Sequence, residues 1–146
     1  MPTLNGSYIL KAEGAPTGVI DGKVYALLFE EQQSPEKWAI TPVPASNEGV
    51  VTIQTSDRSK AWTVSSDQEQ EQITVEGLNS NSPAPNQVFR IVWPEPDENR
   101  LIQLLTNSSS YGIGRNRIED RSLLPKRIVS RPDGTEIPVW VCEALR

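Results

Sequence analysis

Histidine is absent from all 146 residues, cysteine and methionine occur once each, and hydrophobic residues make up only 36% of the chain. Without histidine there is no Ser-His-Asp or Cys-His catalytic arrangement, and no zinc site except one built from carboxylates. The carboxylates come as adjacent pairs, Glu30-Glu31 and Glu119-Asp120. Neighbours on a strand point to opposite faces, so these pairs read as solvated edges and not as a hydrolase. With Cys142 alone, no disulfide forms within the chain and the fold rests on packing. No cofactor and no metal is expected.

Long apolar runs are missing too. Nothing approaches the ~20 residues of a membrane-spanning helix. The opening Met1-Pro2-Thr3-Leu4-Asn5-Gly6 has neither the charged nor the apolar region of a signal peptide. The expectation is a cytoplasmic protein that meets no membrane. Asn5-Gly6-Ser7 and Asn107-Ser108-Ser109 match the glycosylation pattern but mean little without a secretory route. A net charge of −5 lacks the basic excess that a phosphate backbone attracts, so nucleic acid is not an expected partner.

What is present is a set of short apolar runs separated by turn residues. Strands are expected at Ser7–Lys11, Thr17–Ile20, Tyr25–Phe29, Lys37–Thr41, Val50–Thr55 and Ala61–Ser65. Six more are expected at Gln72–Glu76, Gln87–Val92, Leu101–Leu105, Tyr111–Gly114, Arg127–Ser130 and Val139–Glu143. Most carry the β-branched and aromatic enrichment and the period-two pattern of half-buried strands. The twelve prolines fall between or at the ends of these runs. Glu98–Thr106, with Leu101, Ile102, Leu104 and Leu105 behind a possible Asp97 cap, also allows a helix on local grounds. Val24–Gln32 does so too.

Spacing decides between them. The aromatics of Lys37-Trp38-Ala39-Ile40, Val88-Phe89-Arg90-Ile91 and Val139-Trp140-Val141-Cys142 stand 51 residues apart in both intervals. Upstream of each lies an apolar strand, represented by Ile9, Ile53 and Leu104. Three units of four strands follow, at about 4–47, 48–97 and 98–146 of one domain. Closing six strands into a barrel and capping one end with three hairpins leaves few exposed edges. The predicted fold is therefore all-β, a twelve-strand β-trefoil with pseudo-threefold repeats. Cys142, inside one of the aromatic strands, is expected to be buried and unreactive.

Other motifs are local. Arg131-Pro132-Asp133-Gly134 has the chemistry of a hairpin turn. Gly112-Ile113-Gly114-Arg115 lacks the third glycine and the βαβ setting of a nucleotide loop. The segment from Arg115 to Arg127 is dense in mixed charge and reads as a surface loop crossed by ion pairs.

Tyr111-Gly112-Ile113-Gly114-Arg115, followed by Glu119-Asp120-Arg121-Ser122-Leu123-Leu124-Pro125-Lys126-Arg127, resembles the third-repeat signature of fungal β-trefoil serine-protease inhibitors of the cospin and cnispin type. Asn5-Gly6-Ser7-Tyr8-Ile9 and Trp140-Val141-Cys142-Glu143 resemble the same group, and more loosely the mycocypins, which inhibit cysteine proteases. The resemblance covers residues 111–143 and the start of the chain. It implies a disulfide-free trefoil from a mushroom, cytosolic, that blocks trypsin-like proteases and is not an enzyme.

Such inhibition needs a rigid surface loop that places one Lys or Arg in a pocket floored by Asp. The basic residues on expected loops are Lys23, Arg58 with Lys60, the group Arg115, Arg117 and Arg121, and Arg131. The resemblance puts the reactive loop between the second and third strands. It therefore favours Lys23, flanked by Gly22 and Val24, as the residue that contacts trypsin. Arg131 ranks second although Pro132 follows it, and Arg58 and Lys60 third. The expected partner is a trypsin-like serine protease, met by a monomer. Two other readings stay open. A cysteine-protease inhibitor would use Gly14 or Gly18. A ricin-B-type lectin would use Glu36-Lys37-Trp38, Gln87-Val88-Phe89 and Pro138-Val139-Trp140, of which one keeps the Gln-x-aromatic form.

Overall fold

Twelve strands follow one another along the chain: β1 (Gly6–Ala12), β2 (Ala15–Ile20), β3 (Lys23–Ala26), β4 (Trp38–Pro42), β5 (Val50–Gln54), β6 (Lys60–Val64), β7 (Ile73–Gly77), β8 (Phe89–Val92), β9 (Leu101–Thr106), β10 (Ile113–Arg115), β11 (Lys126–Ser130) and β12 (Trp140–Ala144). A 3-10 turn, Pro85–Gln87, precedes β8. The structure is a computed structural model and describes residues 5–12, 15–27, 35–43, 49–64, 72–77, 85–93, 101–106, 112–115, 126–130 and 139–144. Leu101–Thr106 is a strand, so the repeat pattern overrode the local helical spacing.

Pairing closes six of these strands into a barrel. β1 pairs β4, β4 pairs β5, β5 pairs β8, β8 pairs β9, β9 pairs β12, and β12 returns to β1, all antiparallel. The other six form the hairpins β2–β3, β6–β7 and β10–β11. These hairpins interlock, through Lys23 with Thr74, Arg127 with Tyr25, and a bridge from Gln72 to Val129. The architecture is the β-trefoil that the spacing predicts.

The registers show the threefold relation residue by residue. Tyr8 stands opposite Trp38, Val51 opposite Phe89, and Ile102 opposite Trp140. Two residues further on, Ile53 faces Ile40, Leu104 faces Ile91, and Leu10 faces Cys142. Trp38, Phe89 and Trp140 are all fully buried. One expectation needs correcting. The counterpart of Ile53 and Leu104 is Leu10, which is fully buried, and not Ile9, which is only half-buried. Matching isoleucines put the first repeat one residue out of step, and one residue on a strand exchanges the two faces.

Cys142 thus takes the place that isoleucine holds in the other two repeats, at 3% exposure. Burial pushes its thiol up to about 11. The centre of the core belongs to Trp62, a residue outside the three aromatic strands. Its ring lies 5.4 Å from Trp38, 6.1 Å from Phe89 and 5.8 Å from Trp140, with edge-to-face or tilted geometry. The Trp38 indole donates to the Thr17 hydroxyl at 2.8 Å, and the Trp140 indole to the Ile113 carbonyl at 2.7 Å. The Trp62 indole N–H is buried and has no acceptor among the described residues.

Candidate functional site

Two surface loops border one cavity beside the hairpin cap. The first joins β2 to β3 and is only two residues long. Asp21 and Gly22 have φ values of 52° and 74°, which is the Asp-Gly turn of a tight hairpin. The Gly22 carbonyl accepts the Val75 N–H at 2.9 Å, fastening the turn to β7. An added Cβ at Gly22 meets nothing within 4 Å, so the glycine serves the turn's backbone and not a close approach.

Lys23 is therefore the first residue of β3, where sequence reading had placed it in a connection and had begun the strand at Tyr25. Its main chain is paired on one edge with Ile20 and on the other with Thr74. Its side chain is exposed, with no carboxylate partner among the described residues. Val24, expected beside it in the contact, differs in where its side chain lies. Its side chain is fully buried in the core, because the strand alternation that turns Lys23 outward turns Val24 inward. Arg131 lies outside the described residues, as do Arg117 and Arg121. Arg115 ends β10.

The second loop, between β5 and β6, is Thr55-Ser56-Asp57-Arg58-Ser59. Asp57 knots it: one carboxylate oxygen accepts the Ser59 N–H at 2.9 Å, the Ser59 hydroxyl at 2.7 Å and the Thr55 hydroxyl at 2.7 Å. The Ser59 N–H, followed by the two hydroxyls, holds this carboxyl down to about 2. The Arg58 N–H reaches the Thr55 carbonyl at 2.8 Å, and the Thr55 N–H reaches the Lys60 carbonyl at 2.9 Å. The Arg58 carbonyl accepts the Gln54 side-chain amide at 3.2 Å. The Ser56 N–H donates to Glu36 at 3.0 Å. Ser56 through Lys60 are exposed, so a rigid backbone here displays two cations, Arg58 and Lys60.

The cavity between the loops measures about 310 Å3 and includes Val19, Gly22, Glu36, Asp57, Ser59 and Lys60 in its lining. No group of three or more metal-binding side chains occurs among the described residues. Chemically the site offers exposed cations on two hydrogen-bonded loops. It suits recognition of a carboxylate. Of the three cations Lys60 lines the cavity, while Lys23 and Arg58 are chain neighbours of its lining residues Gly22, Asp57 and Ser59; the β3–β7 pairing beside it crosses between repeats, which the sequence does not show.

The described residues of the two rival readings are built into the fold. Gly18 is buried within β2, and Gly14 lies outside the described residues. Gln87 is 6% exposed, and its amide bonds the Thr63 hydroxyl at 3.1 Å and the Gly77 carbonyl at 2.9 Å. All three strand aromatics are buried as well, so they present no ring face to a sugar.

Comparison with known proteins adds the following. Residues 2–92 match the family described as Peptidase inhibitor I66. A serine protease inhibitor of Lentinula edodes is 39% identical over 90 residues, which take in 58% of this chain and 61% of that protein. The chain thus matches about three fifths of that relative's length. Among solved structures, the designed threefold-symmetric protein ThreeFoil superposes with a TM-score of 0.72 at 17% identity, covering 97% of this chain and 100% of its own. A proteinase inhibitor from Coprinopsis cinerea gives 0.65 at 11% identity, covering 99% and 100%. At these identities the two structures show the fold. The family match falls on the first two repeats and takes in Asn5–Ile9, whereas the other motifs that carry the resemblance lie at residues 111–143.

Proposed function

The chain belongs to the peptidase inhibitor I66 family, a family of inhibitors and not of enzymes, and on that premise we propose that it blocks a trypsin-like serine protease through Lys23. The observation that carries this reading is the geometry of that residue: an exposed ammonium on a backbone fixed by a two-residue turn and by pairing on both edges. A trypsin-like protease has an Asp at the floor of its specificity pocket, and an isolated lysine complements it. Since the turn is rigid before binding, little ordering entropy is lost when it docks. Since its main-chain edges are already paired, the side chain makes the contact and the following peptide bond is not offered for cleavage. The serine-protease inhibitor among the relatives supports the target class. The protein is proposed to act as a monomer, in the cytoplasm.

Titrating trypsin, chymotrypsin, subtilisin and papain with the protein tests the reading. Trypsin is expected to be inhibited, and Lys23→Ala to weaken inhibition by about a thousandfold, as for a central contact residue. Wild-type inhibition by Lys23→Ala would place the contact elsewhere.

A further inference from the structure

Among the described residues only Asp21 and Arg58 hold a positive φ without being glycine. Asp21 is accounted for by the Asp-Gly turn, where that residue is favoured. Arg58, at 62°, has no such excuse: a long side chain is unfavourable in the left-handed region, and glycine would fit without strain. The loop nevertheless holds it there. The Asp57 knot closes on both sides of it, and the Arg58 N–H and carbonyl are both taken up by the protein. What remains for a partner is the side chain. Its guanidinium makes one long bond, 3.4 Å to the Thr41 hydroxyl, and meets no carboxylate among the described residues. Strain of this kind persists where the surroundings over-determine it and is concentrated at functional positions.

Location says which partner. Gly22, adjacent to Lys23, lines the same cavity as Asp57, Ser59 and Lys60, which flank Arg58. A protease seated on Lys23 therefore covers the second loop as well. We propose that Arg58 is a second contact residue for the same protease, binding an acidic side chain on the rim of its cleft outside the specificity pocket. The planar guanidinium suits a carboxylate through two parallel hydrogen bonds, which a lysine cannot reproduce. The left-handed backbone keeps Arg58 out of the extended form of a substrate, so this contact adds affinity and selectivity without presenting a bond to be cut.

This inference rests on the inhibitor reading, and the experiment separates the two. Inhibition constants and association rates against trypsin are measured for wild type, Lys23→Ala, Arg58→Gly and Arg58→Lys, at low and high salt. Arg58→Gly relieves the backbone, so its melting temperature is expected to equal or exceed that of wild type. It is expected to inhibit about tenfold or more weakly, and to lose part of the salt dependence that a rim charge gives. Arg58→Lys should recover the salt dependence but not the full affinity. If Arg58→Gly matches wild type at both salts while Lys23→Ala fails, the second contact is refuted and the inhibitor reading stands. If wild type inhibits no serine protease in the panel, both fall.

Discussion

Three tryptophans meet in the core, and a conservative change separates them. Trp38, Trp62 and Trp140 are each fully buried, so replacement by Phe removes a similar volume at each. The hydrogen-bond consequences differ. Trp140→Phe leaves the buried Ile113 carbonyl without its donor, and Trp38→Phe takes a donor from Thr17. Leaving a buried polar group unsatisfied costs about 1–3 kcal/mol, on top of the cavity. Trp62→Phe does the reverse, because the wild-type indole N–H is already buried without an acceptor among the described residues. Removing it relieves a desolvation penalty of about the same 1–3 kcal/mol, which offsets part of the cavity cost.

The expected order of stability is therefore Trp62→Phe above Trp140→Phe, by about 2 kcal/mol or more. Urea unfolding followed by far-ultraviolet circular dichroism measures it. At an m-value of about 2 kcal/mol/M, the two midpoints should differ by about 1 M. Equal midpoints with equal m-values would refute the reasoning, since they would show that the Trp62 N–H finds a partner in the folded protein. Trp62→Ala should cost about 3–5 kcal/mol, a large part of a domain's total stability.

Two further predictions concern the titrating groups. Asp57 is depressed to about 2 from an unfolded value near 3.9, so its contribution to stability is whole above about pH 5 and is lost as the pH falls towards 2. Carboxyl titration by NMR should show this, and a midpoint near the unfolded value would mean that the knot does not form in solution. Cys142 should resist thiol reagents at pH 8 in the folded state and react fully in denaturant; prompt reaction without denaturant would contradict its burial. Because its folded value is raised, its contribution to stability is whole below about pH 8 and is lost as the pH rises towards 11. Cys142→Ala is expected to lower stability by about 1–2 kcal/mol and leave inhibition intact.

The fold was legible because repetition is written in spacing. Twelve apolar runs and two equal intervals between aromatics suffice to place the barrel, and the pairing of Trp38, Phe89 and Trp140 with their partners follows. Legibility failed where single residues matter. Ile9 and Leu10 are both aliphatic, so only the Tyr8–Trp38 pairing decides which one enters the barrel. Trp62 looked like any strand aromatic, since its central position arises from three repeats converging and not from its neighbours in sequence. At the candidate site, Lys23 stands out by its charge and by the family resemblance. The burial of the Val24 side chain was not legible, because a two-residue turn starts the strand sooner than the sequence suggests. The strained φ of Arg58 has no sequence signal at all, as arginine is not a residue one expects in the left-handed region.

The second repeat departs from the other two inside β6, and from the first repeat in the loop before it. The strand registers, with the bridge from Leu105 to Gly112, place Trp62 at the position of Thr17 in the first repeat and Ile113 in the third. A large ring there fills the space between the three strand aromatics and fixes β6 from inside. Five residues separate β5 from β6 and six separate β9 from β10, against two between β1 and β2; the five hold the knot and Arg58. A threefold scaffold makes three related rims that differ in sequence. On the proposed reading, selectivity rests on what breaks the symmetry, here the side chains of one loop with its Asp57 knot and left-handed Arg58.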